Sequence, residues 1–164
     1  RHVVKLAPAS RARTMHASAE RFQILPKPRG SLARLAVTVV AEDACADDQA
    51  GLRVEAVGLN FRDVLNVMGM YPGDPGAPGG DFAGVVVGVG GGVDEDRNEG
   101  GDDSRGASSL DVGDEVFGMA SGALRSYTMT DARLIAPKPS SWTFEQASTM
   151  PVVWATVWSA FEDC

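Results

Sequence analysis

Four consecutive residues, Asn60 to Asp63, bring an amide, an aromatic ring, a guanidinium and a carboxylate together at one point of the chain. They follow an alternating polar and apolar segment and precede a segment with helical spacing, so they mark a junction between a strand and a helix. Such a group of side chains can bind a ligand. A simpler interpretation is that Asn60 caps the helix, while Arg62 and Asp63 form a surface ion pair.

A second candidate is Tyr71, which lies in the segment 70–80, where proline and glycine are too frequent for regular structure. A tyrosine hydroxyl is a weak acid that can donate a proton to a developing carbanion or enolate. Alternatively, the ring anchors the loop over the core. Tyr71 is therefore a candidate for a general acid or for a loop anchor.

Two other kinds of site are not supported. The glycine-rich segment 88–92 follows a predicted strand, as a dinucleotide-binding loop does, but the acidic residues 94–96 come next and would repel phosphate. A flexible turn is the better interpretation. No metal site is predicted, because His2 and His16 lie near the N-terminus and no group of His, Cys and carboxylate residues has ligand spacing.

Helical spacing predicts two elements that would position these groups. Apolar residues at i, i+3, i+4 and i+7 in segment 61–68 predict one apolar face of a short helix, which Gly69 ends. A capping box of Thr143 and Gln146 precedes a second helix over residues 152–162, which we expect to be largely buried.

Alternating and β-branched segments predict about seven short strands. Most of the glycines, 15 of 19, lie between Gly69 and Gly118, as is typical of the turns in a barrel or sandwich. The predicted strands lie in segments 21–25, 35–40, 52–59, 82–89, 111–118, 124–129 and 133–136. The sequence thus indicates a mainly β domain over residues 21–164, with a linker or leader at 1–20 and an acidic insert at about 91–110.

The net charge of −7 is unevenly distributed: residues 1–34 carry +7 and residues 94–111 carry −5. A nucleic-acid-binding domain clusters positive charge on its folded surface, so no nucleic-acid partner is expected. No apolar run reaches the 18 residues of a membrane-spanning helix, so no membrane partner is expected either. Two distant cysteines favour a reducing, cytoplasmic location or impose no constraint, and the arginine-rich first residues leave organellar targeting open.

The most informative pattern is the order of four sequence blocks. They resemble the enoyl reductase domain of modular polyketide synthases and animal-type fatty acid synthases, within the zinc-free branch of the medium-chain dehydrogenase/reductase superfamily. GLNFRDVL is a specific signature of that domain, whereas the other blocks are typical of the superfamily. The blocks are GLNFRDVLNVMGMYPG (58–73), GGDFAGVVVGVG (79–90), VGDEVFGMASGALRSY (112–127) and FEQASTMPVVWATVW (144–158).

The resemblance implies a GroES-like, partly open β-barrel of the alcohol dehydrogenase N-terminal type. It implies that hydride from NADPH reaches the β-carbon of an enoyl thioester on an acyl carrier protein, while a proton reaches the α-carbon. Tyr71 matches the proposed proton donor. Asn60, Phe61 and Asp63 match positions near the nicotinamide, and Thr156 matches a cofactor contact. The partners would be the carrier-bound thioester and neighbouring megasynthase domains.

The chain also departs from the family pattern. Gly79, Gly80 and Asp81 stand where zinc alcohol dehydrogenases have Gly-His-Glu, so we expect no zinc. The sequence ends at Cys164, where the glycine-rich Rossmann domain would begin. We therefore expect NADPH to be bound mainly by a domain absent from this chain, and the isolated chain to be inactive.

Two other functions remain open. One is a fragment of a zinc-free quinone or alkenal oxidoreductase of the same superfamily. The other is a degenerate GroES-like module with a structural role, which the absence of a nucleotide domain favours for the isolated chain. The GLNFRDVL block and the loop that contains Tyr71 favour the enoyl reductase.

Overall fold

The computed structural model describes residues 21–41, 45–90 and 110–162. The predicted leader, 1–20, and nearly all of the acidic insert, 91–109, lie outside these residues. The described part is mainly β and contains seven strands. The strands are β1 (Phe22–Pro26), β2 (Leu35–Val39), β3 (Gln49–Gly58), β4 (Asp81–Val89), β5 (Glu115–Met119), β6 (Tyr127–Asp131) and β7 (Ile135–Pro137).

The helices are short and lie around the strands. Single 3-10 turns at Leu32–Arg34 and Ala132–Leu134 precede β2 and β7. The three α-helices are α1 (Phe61–Val67), α2 (Phe144–Ala147) and α3 (Pro151–Glu162). Thr143 and Gln146 form the predicted capping box, but it begins α2 and not α3.

All strand pairs are antiparallel and fall into two sheets. The larger sheet has the order β6-β3-β4-β5-β7, with the long strands β3 and β4 at its centre, while β1 and β2 pair separately. An isolated bridge pairs Gln23 of β1 with Arg125, which lies just before β6. The described strands do not close into a barrel, which confirms the predicted mainly β, partly open GroES-like arrangement.

One hydrophobic core lies against the larger sheet. Leu52 of β3, Phe82 and Val86 of β4, and Val116 of β5 are fully buried at its centre. The core fixes the register of β3 against β4, because slipping by one residue would turn these side chains to the opposite face. The C-terminal end of β3 and the start of β4 are thereby held together, and the candidate site lies beside them.

Helix α1 has nearly the predicted bounds, but it does not bury the predicted apolar face. Phe61 is 73% exposed and Val64 is also exposed, whereas Asp63 and Asn66 are buried. Buried polar groups need hydrogen-bond partners, and both find them in the loop that follows the helix. The polar side of α1 therefore faces the protein because it holds that loop.

Helix α3 forms as predicted, but the expectation that it is largely buried is wrong for the described residues. No residue of α3 is buried, and Trp154, Val157, Trp158 and Phe161 are exposed. The helix contacts β4 and β5, and its first turn is bonded to the first residue of β4. Within the described residues, no helix is both long enough and apolar enough to span a membrane.

Candidate functional site

The start of α1 is tied to the loop before β4 through Asp63. One carboxylate oxygen of Asp63 accepts a hydrogen bond from the backbone N–H of Asn60 at 2.9 Å, and the other accepts from the N–H of Gly79 at 2.7 Å. Asp63 is buried. The predicted surface pair of Arg62 and Asp63 is therefore wrong, whereas Asn60 occupies the predicted N-cap position of α1, where its backbone N–H is bonded to Asp63.

Asp81 opens β4 and connects two elements that are far apart in sequence. Its Oδ2 accepts from the side-chain amide of Asn60 at 3.0 Å, and its Oδ1 accepts from the backbone N–H of Val152 in α3, also at 3.0 Å. Asp81 is 1% exposed. Burial raises the pKa of this carboxyl above its usual value, while the hydrogen bonds from Asn60 and Val152 oppose the shift.

Asp81 is a residue that sequence reasoning noted only as a departure from Gly-His-Glu. A signal was nevertheless present, because Asp81 begins a strand whose following residues are almost all apolar. A carboxylate in such a place is costly to bury unless N–H groups or cations satisfy it. The sequence could not show which groups those would be.

A cavity of about 330 Å³ opens beside these two carboxylates. Its walls come from the start of α1, the loop before β4, the end of β5 and the first turn of α3. The lining residues include Asn60, Arg62, Asp63, Gly80 and Val152. A cavity that combines apolar walls with a few fixed polar groups is typical of small-molecule sites.

The structure brings together only part of the predicted cofactor site. Asn60 and Asp63 line the cavity, whereas Phe61 does not. Thr156 does not line it either, and its hydroxyl donates to the Val152 carbonyl within α3 at 2.7 Å. The assignment of cofactor contacts to Asn60, Phe61, Asp63 and Thr156 stays a prediction.

Tyr71 lies next to the cavity without lining it. Its ring faces the guanidinium of Arg62, whose Cζ atom is 5.0 Å from the ring centroid, and its backbone N–H donates to the Leu65 carbonyl at 3.2 Å. The residue is half-buried. These contacts match the role of loop anchor, and the role of proton donor stays a prediction.

Arg29 fastens the Tyr71 loop to α1. Its Nε donates to the Asn66 side-chain oxygen at 2.9 Å, and its NH2 group donates to the Gly76 carbonyl at 2.7 Å. The Asn66 side-chain amide also donates to the Gly76 carbonyl, at 3.2 Å. Sequence reasoning missed this contact, because 37 residues separate Arg29 from Asn66 and no local pattern joins them.

The carboxylates at the site do not match a zinc centre. All four side-chain oxygens of Asp63 and Asp81 already accept N–H groups, and Gly79 and Gly80 carry no ligand side chain. Among the described residues, no group of three His, Cys, Asp or Glu side chains is arranged to hold a metal. The expected lack of zinc remains a prediction.

Comparison with known sequences gives one family and a consistent set of relatives. The Alcohol dehydrogenase GroES-like domain matches residues 46–140. The pikromycin polyketide synthase component PikAII of Streptomyces venezuelae is 36% identical over 147 residues, which cover 87% of this chain and 4% of that protein. The phenolphthiocerol synthesis polyketide synthase Pks15/1 of Mycobacterium marinum is 34% identical over 164 residues, which cover 99% and 7%. The chain thus spans less than a tenth of the length of these relatives.

Solved structures with this fold include reductases. The CurK enoyl reductase superposes with a TM-score of 0.71 and 26% identity, covering 84% of this chain and 41% of that one. A quinone oxidoreductase from Pseudomonas syringae gives a TM-score of 0.65 and 25% identity, covering 86% and 40%. The chain therefore belongs to the alcohol dehydrogenase GroES-like domain family, and its relatives are polyketide synthase components and enoyl reductases of the medium-chain dehydrogenase/reductase superfamily.

Proposed function

We propose that this chain is the substrate-side part of an NADPH-dependent, zinc-free enoyl reductase within a polyketide synthase. Its substrate is an enoyl thioester on an acyl carrier protein, and its neighbours are other synthase domains. One observation carries the proposal: the cavity beside Asn60 and Asp63 lies in a GroES-like fold whose curated relatives are polyketide synthase components.

The residues around the cavity have distinct roles in this proposal. Bound NADPH would supply the hydride that reaches the β-carbon of the substrate. Asn60 offers its carboxamide to the nicotinamide, while Asp63 holds the start of α1 against the loop at Gly79. In a zinc-free enoyl reductase, the rate enhancement would come from positioning and from fixed dipoles.

Tyr71 is the proposed donor of the proton to the α-carbon. Its ring is held by Arg62, which lines the cavity, so the hydroxyl-bearing loop and the cavity share one wall. A general acid must come within hydrogen-bond reach of the atom that it protonates. Proton transfer therefore requires the loop 70–80 to move toward the bound substrate, or the substrate to extend past Arg62.

The experiment compares the chain alone with the chain joined to a cofactor domain. We expect the isolated chain to bind NADPH weakly or not at all and to reduce no crotonyl-pantetheine. We expect a fusion to the remaining residues of the CurK enoyl reductase to oxidise NADPH when crotonyl-pantetheine is added. The CurK enzyme itself is the positive control, and a circular dichroism spectrum establishes that the fusion is folded.

The alternatives predict different results in the same experiment. A folded fusion that oxidises NADPH with a quinone but not with the thioester would support the quinone or alkenal oxidoreductase, a function that the Pseudomonas syringae structure makes a specific competitor. A folded fusion with neither activity would support the structural module. Measurable turnover by the isolated chain would contradict the expected division of labour between two domains.

A further inference from the structure

Asp81 lies behind the cavity, outside its lining, and its two oxygens hold residues that do line it. Asn60 belongs to the wall at α1, and Val152 belongs to the wall at α3. The two residues are 92 positions apart in the sequence. One buried carboxylate is thus bonded to residues in two walls of the same cavity, which come from different elements.

The α3 wall is bonded to Asp81 at the start of the helix. Within the described residues, no side chain of α3 is fully buried, and Pro151 and Val152 at its start are half-buried. The Val152 N–H lies in the first turn of α3, where backbone N–H groups have no partner within the helix. A carboxylate is a strong acceptor for such a group, because its negative charge is also attracted to the positive end of the helix dipole.

The α1 wall is oriented by the same carboxylate. The Asn60 side chain donates through Nδ2 to Asp81, so rotating the amide by half a turn would place two oxygens against each other. The orientation of the Asn60 carboxamide is therefore set from behind the cavity. Any ligand group that meets Asn60 meets an amide whose donor and acceptor ends have been fixed in advance.

We propose that Asp81 is a positioning residue that sets the separation of the α1 and α3 walls and the orientation of the Asn60 amide. The proposal rests on the proposed function insofar as the cavity is taken as the ligand site. Asp81 itself does not touch the ligand. Its effect on binding passes through Asn60 and Val152.

The test uses the full 164-residue chain and amide hydrogen exchange measured by NMR. In Asp81→Asn, the remaining side-chain oxygen can still accept from Val152, but the amide group that replaces the other oxygen cannot accept from Asn60. The Asn60 amide must therefore lose this bond or reverse so that its oxygen accepts from position 81. We expect the Val152 amide to exchange about tenfold faster, or the Asn60 side-chain resonances to move, because one hydrogen bond is lost or reversed. Asp131→Asn is the control, since the Asp131 side chain also accepts a backbone N–H, but its partner Arg133 does not line the cavity.

Exchanging donor and acceptor gives a rescue experiment. In the double variant Asn60→Asp with Asp81→Asn, the side chain at position 81 can donate to the one at position 60 and still accept from Val152. We expect Val152 exchange to return to within about twofold of the wild-type rate, because both wall contacts are restored. A merely local loss of stability at position 81 would not be rescued in this way.

Two results would overturn the proposal. One is Val152 exchange and Asn60 resonances that stay at their wild-type values in both Asp81→Asn and Asp81→Ala. The other is a double variant that is no closer to wild type than Asp81→Asn alone. Because none of these measurements uses a cofactor or a substrate, a failure of the proposed function would appear separately, as the absence of reduction by the folded CurK fusion.

Discussion

The guanidinium carbon of Arg62 lies 5.0 Å from the centroid of the Tyr71 ring, so the first turn of α1 meets the loop that follows it through a cation–π contact. Arg62 lines the cavity and Tyr71 does not. The phenol is therefore one side chain away from the space where a ligand would lie. This relationship separates two roles of Tyr71, because the ring makes the contact and only the hydroxyl can donate a proton.

Tyr71→Phe removes the hydroxyl and keeps the ring that Arg62 contacts. In the CurK fusion, we expect NADPH affinity to stay nearly unchanged while the reduction rate falls by about 100-fold, as for the loss of a general acid, or α-protonation loses its stereochemistry. Steady-state kinetics and product analysis in deuterated water measure both effects. Arg62→Ala is the control that weakens the ring contact instead. Unchanged rate and stereochemistry in Tyr71→Phe would leave Tyr71 as a loop anchor.

The contact between Arg29 and Asn66 gives a prediction about the mobility of the Tyr71 loop. Arg29→Ala removes the hydrogen bonds to Asn66 and Gly76, and we expect it to lower the free energy of unfolding by about 1 kcal/mol. We also expect faster amide exchange in residues 70–80, because the loop loses its attachment to α1. Urea unfolding and exchange NMR measure the two effects. Arg34→Ala, an exposed arginine outside this network, should change neither quantity.

Helix α1 shows what the sequence could predict and where local patterns stop. Apolar spacing and the capping residue Asn60 predicted its existence and nearly its bounds, because both depend on residues three or four positions apart. The same spacing predicted the wrong buried face. Asp63 and Asn66 face the protein because Gly79 and Arg29 bind them, and such long-range partners leave no periodic signal.

The candidate site was predictable to a similar extent. The motif from Asn60 to Asp63 pointed to the correct junction, and the resemblance supplied the family. The second carboxylate, Asp81, became visible only with the fold, because its partners come from α1 and α3. Thr156 was predicted from resemblance alone, and its hydroxyl is bonded within α3.

Burial raises the pKa of Asp81, and this shift fixes the sign of one pH dependence. An acid with a raised native pKa binds its proton more tightly when folded, so its contribution to stability is full below about pH 4 and is lost as pH rises through the native pKa. Asp81→Asn should abolish this contribution in urea unfolding between about pH 3 and pH 7. If the difference in free energy of unfolding between the wild type and Asp81→Asn does not change with pH, the raised pKa of Asp81 is contradicted.

Asp131 should show the opposite sign. The side-chain hydrogen bond from Arg133 lowers the pKa of Asp131 to about 2, with support from the Arg133 backbone N–H. Its contribution to stability is therefore present above about pH 4 and is lost as pH falls toward the native pKa. Carbon-detected NMR titration should find the low pKa in the wild type and a value nearer the ordinary one in Arg133→Gln. Equal values in both proteins would show that Arg133 is not the cause.

Gly58 and Gly88 form a matched pair that tests how tightly β3 packs behind the site. A Cβ atom at Gly58 would lie 2.1 Å from the backbone oxygen of Ser148, which follows α2, and 2.9 Å from the Cβ atom of Asp81. Neither neighbour is a flexible side-chain end, so we expect Gly58→Ala to lower the free energy of unfolding by about 2 kcal/mol. It should also disturb the resonances of Asn60, because Asp81 is displaced.

Gly88→Ala is the control for that pair, because a Cβ atom there meets no heavy atom within 4 Å. Gly88 lies within β4, where alanine restricts the unfolded chain more than glycine does. We therefore expect Gly88→Ala to leave the free energy of unfolding unchanged or to raise it by up to about 0.5 kcal/mol. Urea unfolding of the two variants should give effects of different size and sign. If both variants lowered the free energy of unfolding by a similar amount, the close approach of β3 to Ser148 would not limit the packing behind the cavity.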